Sequence, residues 1–245
     1  MRIITVANQK GGNGKTTTAL ALAQAGKAKD LKVLCIDMDG QANLSTALGS
    51  NPNYGTALSF LTGEAKAEKC IQNTAQGIDL IAGCYDLATL RTEAGSARRL
   101  QKALEPIKGK YDLIVIDTPP NVGEAQYNAL QASTDLVITV KASLFDLQGL
   151  YTMADTAQGF KKSNPSLSVA GYILTDHNGR SNLAKALEES IRKEAKANGV
   201  DYLGTVRQGI AIREAQALRL SLFEYAPESN PAKDYMKIFE KIIEG

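Results

Sequence analysis

The chain has 245 residues, 44% hydrophobic and 6% aromatic with no Trp, enough for one large α/β core and inconsistent with a disordered chain. A net charge of only +2 excludes a bulk-charge nucleic-acid binder, so any such surface must come from local clustering. Cys35, Cys70 and Cys84 show no CxxC spacing and form no metal set with the one histidine; with no apolar run of ~18 residues and no signal segment, a reducing cytoplasm is the expected compartment.

Ile3 to Ala7 reads as a first strand, and Lys15 to about Ala28, rich in Ala and Leu, as the helix that follows. Between them lies Asn8-Gln9-Lys10-Gly11-Gly12-Asn13-Gly14-Lys15-Thr16-Thr17. Glycines let a backbone turn tightly with its N–H groups inward, and a helix start adds partial positive charge. The pattern predicts a phosphate cradle at Gly11, Gly12, Asn13 and Gly14, with Lys15 on the β/γ-phosphates, the Thr16 hydroxyl on Mg²⁺ and Thr17 beside it. The standard spacing would need glycine at Gln9; here an extra lysine, Lys10, precedes the glycines.

Lys32 to Asp37 reads as a buried parallel strand ending in Asp37-Met38-Asp39, and ligands of open α/β sheets bind beyond such carboxyl ends. Two acids one residue apart point to opposite sides, so they should have different tasks. A short helix is expected over Thr56 to Leu61, a strand over Ile78 to Ala82, and a helical stretch between Thr89 and Ile107 whose Arg91, Arg98, Arg99 and Lys102 read as a solvated face. Tyr111 to Asp117 is a core strand delivering a carboxylate toward Mg²⁺, and Pro119-Pro120 stiffen its exit. Leu136 to Val140 is a further strand, followed by a helix from Phe145 to about Lys161. Ser168 to Leu174 is another, leading to a loop with His177. Ser181 to Asn198 is an amphipathic helix, Asp201 to Val206 the last strand, and Pro231 to Ile243 a final helix with one apolar face. Its polar residues cancel to zero charge, which favours docking on the sheet over a membrane. The order predicts an α/β fold: a doubly wound, mostly parallel sheet flanked by helices, in a single domain 1–245.

The Lys-Gly-Gly-x-Gly-Lys-Thr loop resembles the deviant Walker A motif of the ParA/MinD family of ATPases, and the resemblance is strongest to its small ParA/Soj branch. It implies that Lys10 reaches across a dimer interface to the partner's nucleotide, and that Val at Gly11 or Gly12 blocks that approach. Asp37-Met38-Asp39-Gly40-Gln41-Ala42-Asn43 resembles the family's Asp-x-Asp-Pro-Gln-Gly-Asn, with Gly40 for Pro and Ala42 for Gly. That match makes Asp39 the residue that positions the attacking water and gives Asp37 a place in the Mg²⁺ and phosphate shell. Asp117-Thr118-Pro119-Pro120 matches the family's second switch loop, and Arg207 stands near its adenine-contacting loop. Thr175 to Gly179 lacks an Asn-Lys-x-Asp guanine motif, which favours ATP.

The resemblance implies a Mg-ATP-dependent dimerising ATPase for plasmid or chromosome partition. It would be cytoplasmic, nucleoid-associated in the ATP state, bound to nonspecific double-stranded DNA and stimulated by a ParB-like partner. The stretch Arg180 to Leu220 carries a net +3, a candidate DNA surface. No N-terminal helix-turn-helix is expected. A MinD-like ATPase at a membrane or other cellular site is the alternative, and the neutral final helix speaks against the membrane form. A reductase resembling the nitrogenase iron protein would need cysteines after Asp117, whereas Cys84 is the last.

Overall fold

The computed structural model describes residues 1–141, 152–153, 155–179 and 182–245. The expected helix start at Phe145 to Leu150 and Arg180 lie outside the described residues. Eight strands are described: β1 (Arg2–Ala7), β2 (Val33–Asp37), β3 (Gln72–Asn73), β4 (Asp79–Ile81), β5 (Leu113–Asp117), β6 (Asp135–Lys141), β7 (Ser168–His177) and β8 (Tyr202–Arg207). They form one sheet in the order β3-β4-β2-β5-β1-β6-β7-β8. Every neighbouring pair is parallel except β3 with β4.

The central strands β2 and β5 are buried along their whole length. That follows from Val-Leu-Cys-Ile and Leu-Ile-Val-Ile runs, which can be apolar on both faces only if helices cover both. On one face the Lys15–Ala28 helix and the C-terminal helix Asn230–Glu244 pack together over Val115 and Leu203. On the other, Ile191 and Ala195 of the Asn182–Ala197 helix pack with Leu130, Tyr172 and Leu174. Gly26 lets the first of these helices close on the sheet: a Cβ there would lie 2.7 Å from Leu113 Cδ2.

The C-terminal helix docks as its charge pattern predicts, with Tyr235, Ile238, Phe239 and Ile242 buried. No helix among the described residues is long and apolar enough to cross a membrane. The stretch between Thr89 and Ile107 is less helical than expected: 3₁₀ turns at Tyr85–Thr89, Ser96–Arg98 and Glu105–Ile107 flank a six-residue helix, Arg99–Leu104. Gly95 at φ 81° breaks the run, and Pro106 lies in the closing turn. The two-residue antiparallel β3 leaves no periodic signal in sequence, because it is too short to alternate.

Candidate functional site

The parallel register sets the site. Val6 of β1 is level with Asp117 of β5, and Asp117 is level with Asp37 of β2. The glycine loop leaving β1 and two carboxylates therefore meet at one sheet edge, on adjacent strands. Gly12 and Gly14 take φ 76° and 75°, a left-handed turn that glycine enters without strain. Gly14 precedes the first turn of the Lys15–Ala28 helix, and no side chain caps that end. Its N–H groups are left to an anionic ligand. Thr175 at the end of β7 braces the loop from behind, donating through Oγ1 to the Asn13 carbonyl at 3.1 Å.

Lys15 is buried and curls back to donate from Nζ to the Lys10 carbonyl at 2.9 Å. Burial lowers its pKa, while Asp117 and Asp39 work in the opposite direction. Lys10 itself is exposed; its own N–H donates to Asn8 Oδ1 at 2.9 Å.

The acids separate by their partners. Asp37 accepts from the Asp39 N–H at 3.1 Å and from the Ser45 N–H and hydroxyl at 2.9 and 2.7 Å. It thereby anchors the segment 38–45, and its oxygens are spent on that task. Asp117 is fully buried, and neither carboxylate oxygen closes a hydrogen bond of normal geometry. Burial raises its pKa well above the ordinary aspartate value, with neighbouring Asp37 adding to the effect and the nearby Thr16 hydroxyl opposing it. An orphaned buried carboxylate beside a hydroxyl is a donor pair that suits a hard divalent cation. Asp39, 8% exposed, accepts from the Gln41 N–H at 3.0 Å and lines the cavity.

The Asp117 shift has a stability consequence. A carboxyl whose folded pKa is raised contributes stability that is full below its unfolded pKa and lost as pH rises through the folded one. Near neutral pH an ionised Asp117 therefore costs stability in the nucleotide-free protein. Asp117→Asn should raise its melting temperature by about 2–4 °C, the equivalent of about 1 kcal/mol in a chain of this size. Calorimetry without nucleotide or metal measures this, and the gain should shrink toward mildly acidic pH.

A cavity of about 790 Å³ spreads from the phosphate loop. Gly11, Gly12, Gly14, Lys15, Thr16 and Thr17 form one wall, and Asp39 and Pro120 another. The far end is built by Lys141, Asp176, the segment Val206 to Ile210, Arg213 and Tyr235. Arg207 is at this end, clamped to Asp234 through Nε at 2.8 Å and Nη2 at 2.6 Å. Sequence reasoning missed Ser45, Thr175, the Lys141–Asp176 pair (3.0 Å) and Tyr235, whose hydroxyl lies 3.1 Å from Thr18 Oγ1. Only Thr175, at the end of a recognised strand, left a signal.

One sequence expectation changes. His177 is no loop residue: it ends β7, is 5% exposed, and its Nε2 lies 3.3 Å from Glu188 Oε2. The chain stays extended beyond Leu174 because β8 continues beside it, pairing His177 with Arg207. In the basic stretch after residue 180, Arg192 pairs with Glu188 and lies over Tyr202, and Lys193 pairs with Glu189, acids that its net charge already counts; Arg207 pairs with Asp234 outside it, while Lys185, Lys196, Arg213 and Arg219 are exposed.

Comparison with known proteins agrees with this geometry. A family model described as an AAA domain matches residues 1–169. The chain is 32% identical to the chromosome partitioning protein ParA of Caulobacter vibrioides, over 99% of this chain and 94% of that one. The chain belongs to the ParA/MinD family of ATPases. This family member is also 31% identical to the chromosome-partitioning ATPase Soj of Thermus thermophilus, over 99% of its own length and 96% of that protein. Among solved structures it resembles the septum site-determining protein MinD of Pyrococcus horikoshii complexed with Mg-ADP. That match has a TM-score of 0.80 and 27% identity over 98% and 95% of the two chains.

Proposed function

We propose that this chain is a Mg-ATP-dependent dimerising ATPase switch for DNA partition, acting as one domain over residues 1–245. One observation carries the reading: Lys15 is buried within electrostatic reach of Asp39 and the orphaned Asp117, whereas Lys10 is exposed on the same loop. One lysine is set to serve its own cavity, and the other is set to serve a neighbour's. Gly11, Gly12, Asn13, Gly14 and Thr17 would hold the phosphates, with Lys15 drawing off their charge. Mg²⁺, as in the MinD complex, would be held by Thr16 and by Asp117 through water, with Asp37 supporting the shell through its loop; bound there it neutralises phosphate charge. Asp39 orients water toward the γ-phosphate, and Arg207 flanks the base end.

ATP then acts as a ligand of the dimer, and hydrolysis releases it. In this reading the ATP dimer binds nonspecific DNA in the cytoplasm, associates with the nucleoid and answers to a ParB-like partner. The resemblance to ParA of Caulobacter vibrioides and to Soj supports that assignment. The test is binding to nonspecific duplex DNA with ATP, ADP or no nucleotide across a salt series. ATP-dependent, salt-sensitive binding is expected; a protein that dimerises with ATP yet ignores DNA in every state refutes the partition role.

Gly11 gives a clean probe of the dimer. A Cβ there meets nothing within 4 Å, and its φ is outside the left-handed region. Gly11→Val should fold with a melting temperature close to wild type and still bind ATP. ATP-induced dimerisation, read by light scattering, should fall at least about tenfold, because the added side chain stands where a second protomer must approach.

A further inference from the structure

We propose that Ser45 and Gly83 are positioning residues for hydrolysis: together they strap the strained segment that carries Asp39 to the loop after β4. The proposal rests on the reading that Asp39 orients the attacking water, and it adds the two residues through which that carboxylate is aimed.

The segment needs holding. Between Asp39 and the short helix Asn43–Leu48 the chain turns at Ala42, whose φ is 51° and ψ 37°. That is the left-handed region, which alanine enters only under strain and glycine enters freely. No side chain caps the helix start at Ala42. The Ala42 N–H donates to the Asp39 carbonyl at 3.0 Å, so the strained residue and the acid belong to one turn. Released, alanine relaxes toward negative φ and carries Asp39 with it.

The Ser45 hydroxyl is the centre of the strap. It donates to Asp37 Oδ2 at 2.7 Å and accepts from the Gly83 N–H at 2.9 Å. Ser45 is 1% exposed, and its hydroxyl proton and one acceptor position are both in use. β2 ends at Asp37 and β4 at Ile81, and the two strands are parallel neighbours. One hydroxyl thus joins two adjacent strand exits, with the Asp39 turn held between them. Gly83 supplies the floor. A Cβ there would lie 2.7 Å from the Asp39 carbonyl oxygen and 2.9 Å from Asp37 Cγ, and its φ is outside the left-handed region. Close approach, rather than conformation, requires this glycine. The support continues along the loop, since a Cβ on Gly40 would meet the Tyr85 carbonyl oxygen at 3.4 Å. Asp39, Gln41 and Asn43 line the nucleotide cavity, whereas Ser45 and Gly83 are not among its lining residues. Their effect on the reaction therefore passes through the segment they hold.

The experiment measures single-turnover hydrolysis of Mg-ATP, ATP affinity and melting temperature. Displacement of a reacting group by about 1 Å lowers rate about 100-fold. Ser45→Ala should lower the rate about 10- to 100-fold with ATP affinity within about threefold of wild type. Ser45→Thr keeps the hydroxyl and should stay within about threefold in both. Gly83→Ala should show the same split between rate and affinity, and if it does not fold the serine pair decides. Two double variants separate aiming from bulk stability. In an Asp39→Ala background, Ser45→Ala should lower the residual rate by less than about twofold, because its effect passes through the missing carboxylate. Ala42→Gly added to Ser45→Ala should recover at least about threefold in rate, because glycine holds the left-handed turn without the strap. The proposal is overturned by a Ser45→Ala rate within about threefold of wild type, by a loss of ATP affinity in its place, by an equal loss in both backgrounds, or by no recovery with Ala42→Gly. A wild-type rate in Asp39→Ala alone is a different result: it removes the water-orienting role, and the strap loses its object.

Discussion

Asp39→Ala is expected to lower ATP turnover about 100- to 1,000-fold, the range lost when a group that orients or deprotonates the attacking water is removed, while ATP affinity changes less than about threefold. Asp39 is the one acid of the three that both lines the cavity and spends its known hydrogen bond on its own loop, through Gln41. Asp37 is committed to Ser45 and to the Asp39 backbone, and Asp117 lies fully buried at the strand end. Since nothing that grips phosphate is removed, the variant should accumulate as a nucleotide-bound dimer. Single-turnover hydrolysis and size exclusion with ATP measure both halves. Turnover within about tenfold of wild type would assign the water to another residue, and loss of ATP binding would make Asp39 a structural prop of the loop.

Lys10→Ala should reduce dimer-dependent turnover by about 1,000-fold, the lower end of what a cation supplied in trans contributes to phosphoryl transfer. Its exposed side chain, outside a cavity that Lys15 occupies, motivates the assignment. The decisive form is a mixture. If Lys10 serves the partner's nucleotide, a dimer of one Lys10→Ala and one Asp39→Ala protomer contains one site with both residues intact. Equal mixing of two dead variants should then recover about a quarter of wild-type turnover, since half of the dimers are mixed and each has one working site of two. A mixture as inactive as its components would place Lys10 in its own protomer's site.

Much of the site was legible because its parts are contiguous in sequence. Lys10 to Thr17 announce a phosphate loop by their glycines, lysines and hydroxyls, although Gln9 departs from the standard spacing, and the acids at Asp37, Asp39 and Asp117 announce themselves by ending apolar runs. The strands around them were readable for the same reason: a run buried on both faces needs no partner to be recognised. Strand ends were less so. Sequence stopped β7 at Leu174, while β8 draws it out to His177 and buries that histidine against Glu188.

The sequence by itself placed a glycine loop and three strand-end acids at the carboxyl edge of a parallel sheet, because backbone conformation and apolar runs are local properties. Only the tertiary structure decided which partners the acids have. Asp37 and Asp117 are eighty residues apart and become neighbours through the register of β2 and β5. Their hydrogen bonding then differs, because Ser45 satisfies Asp37 and leaves Asp117 bare. The same holds for charge: docking of the C-terminal helix pairs Arg207 with Asp234, 27 residues on, a contact that no charge count contains.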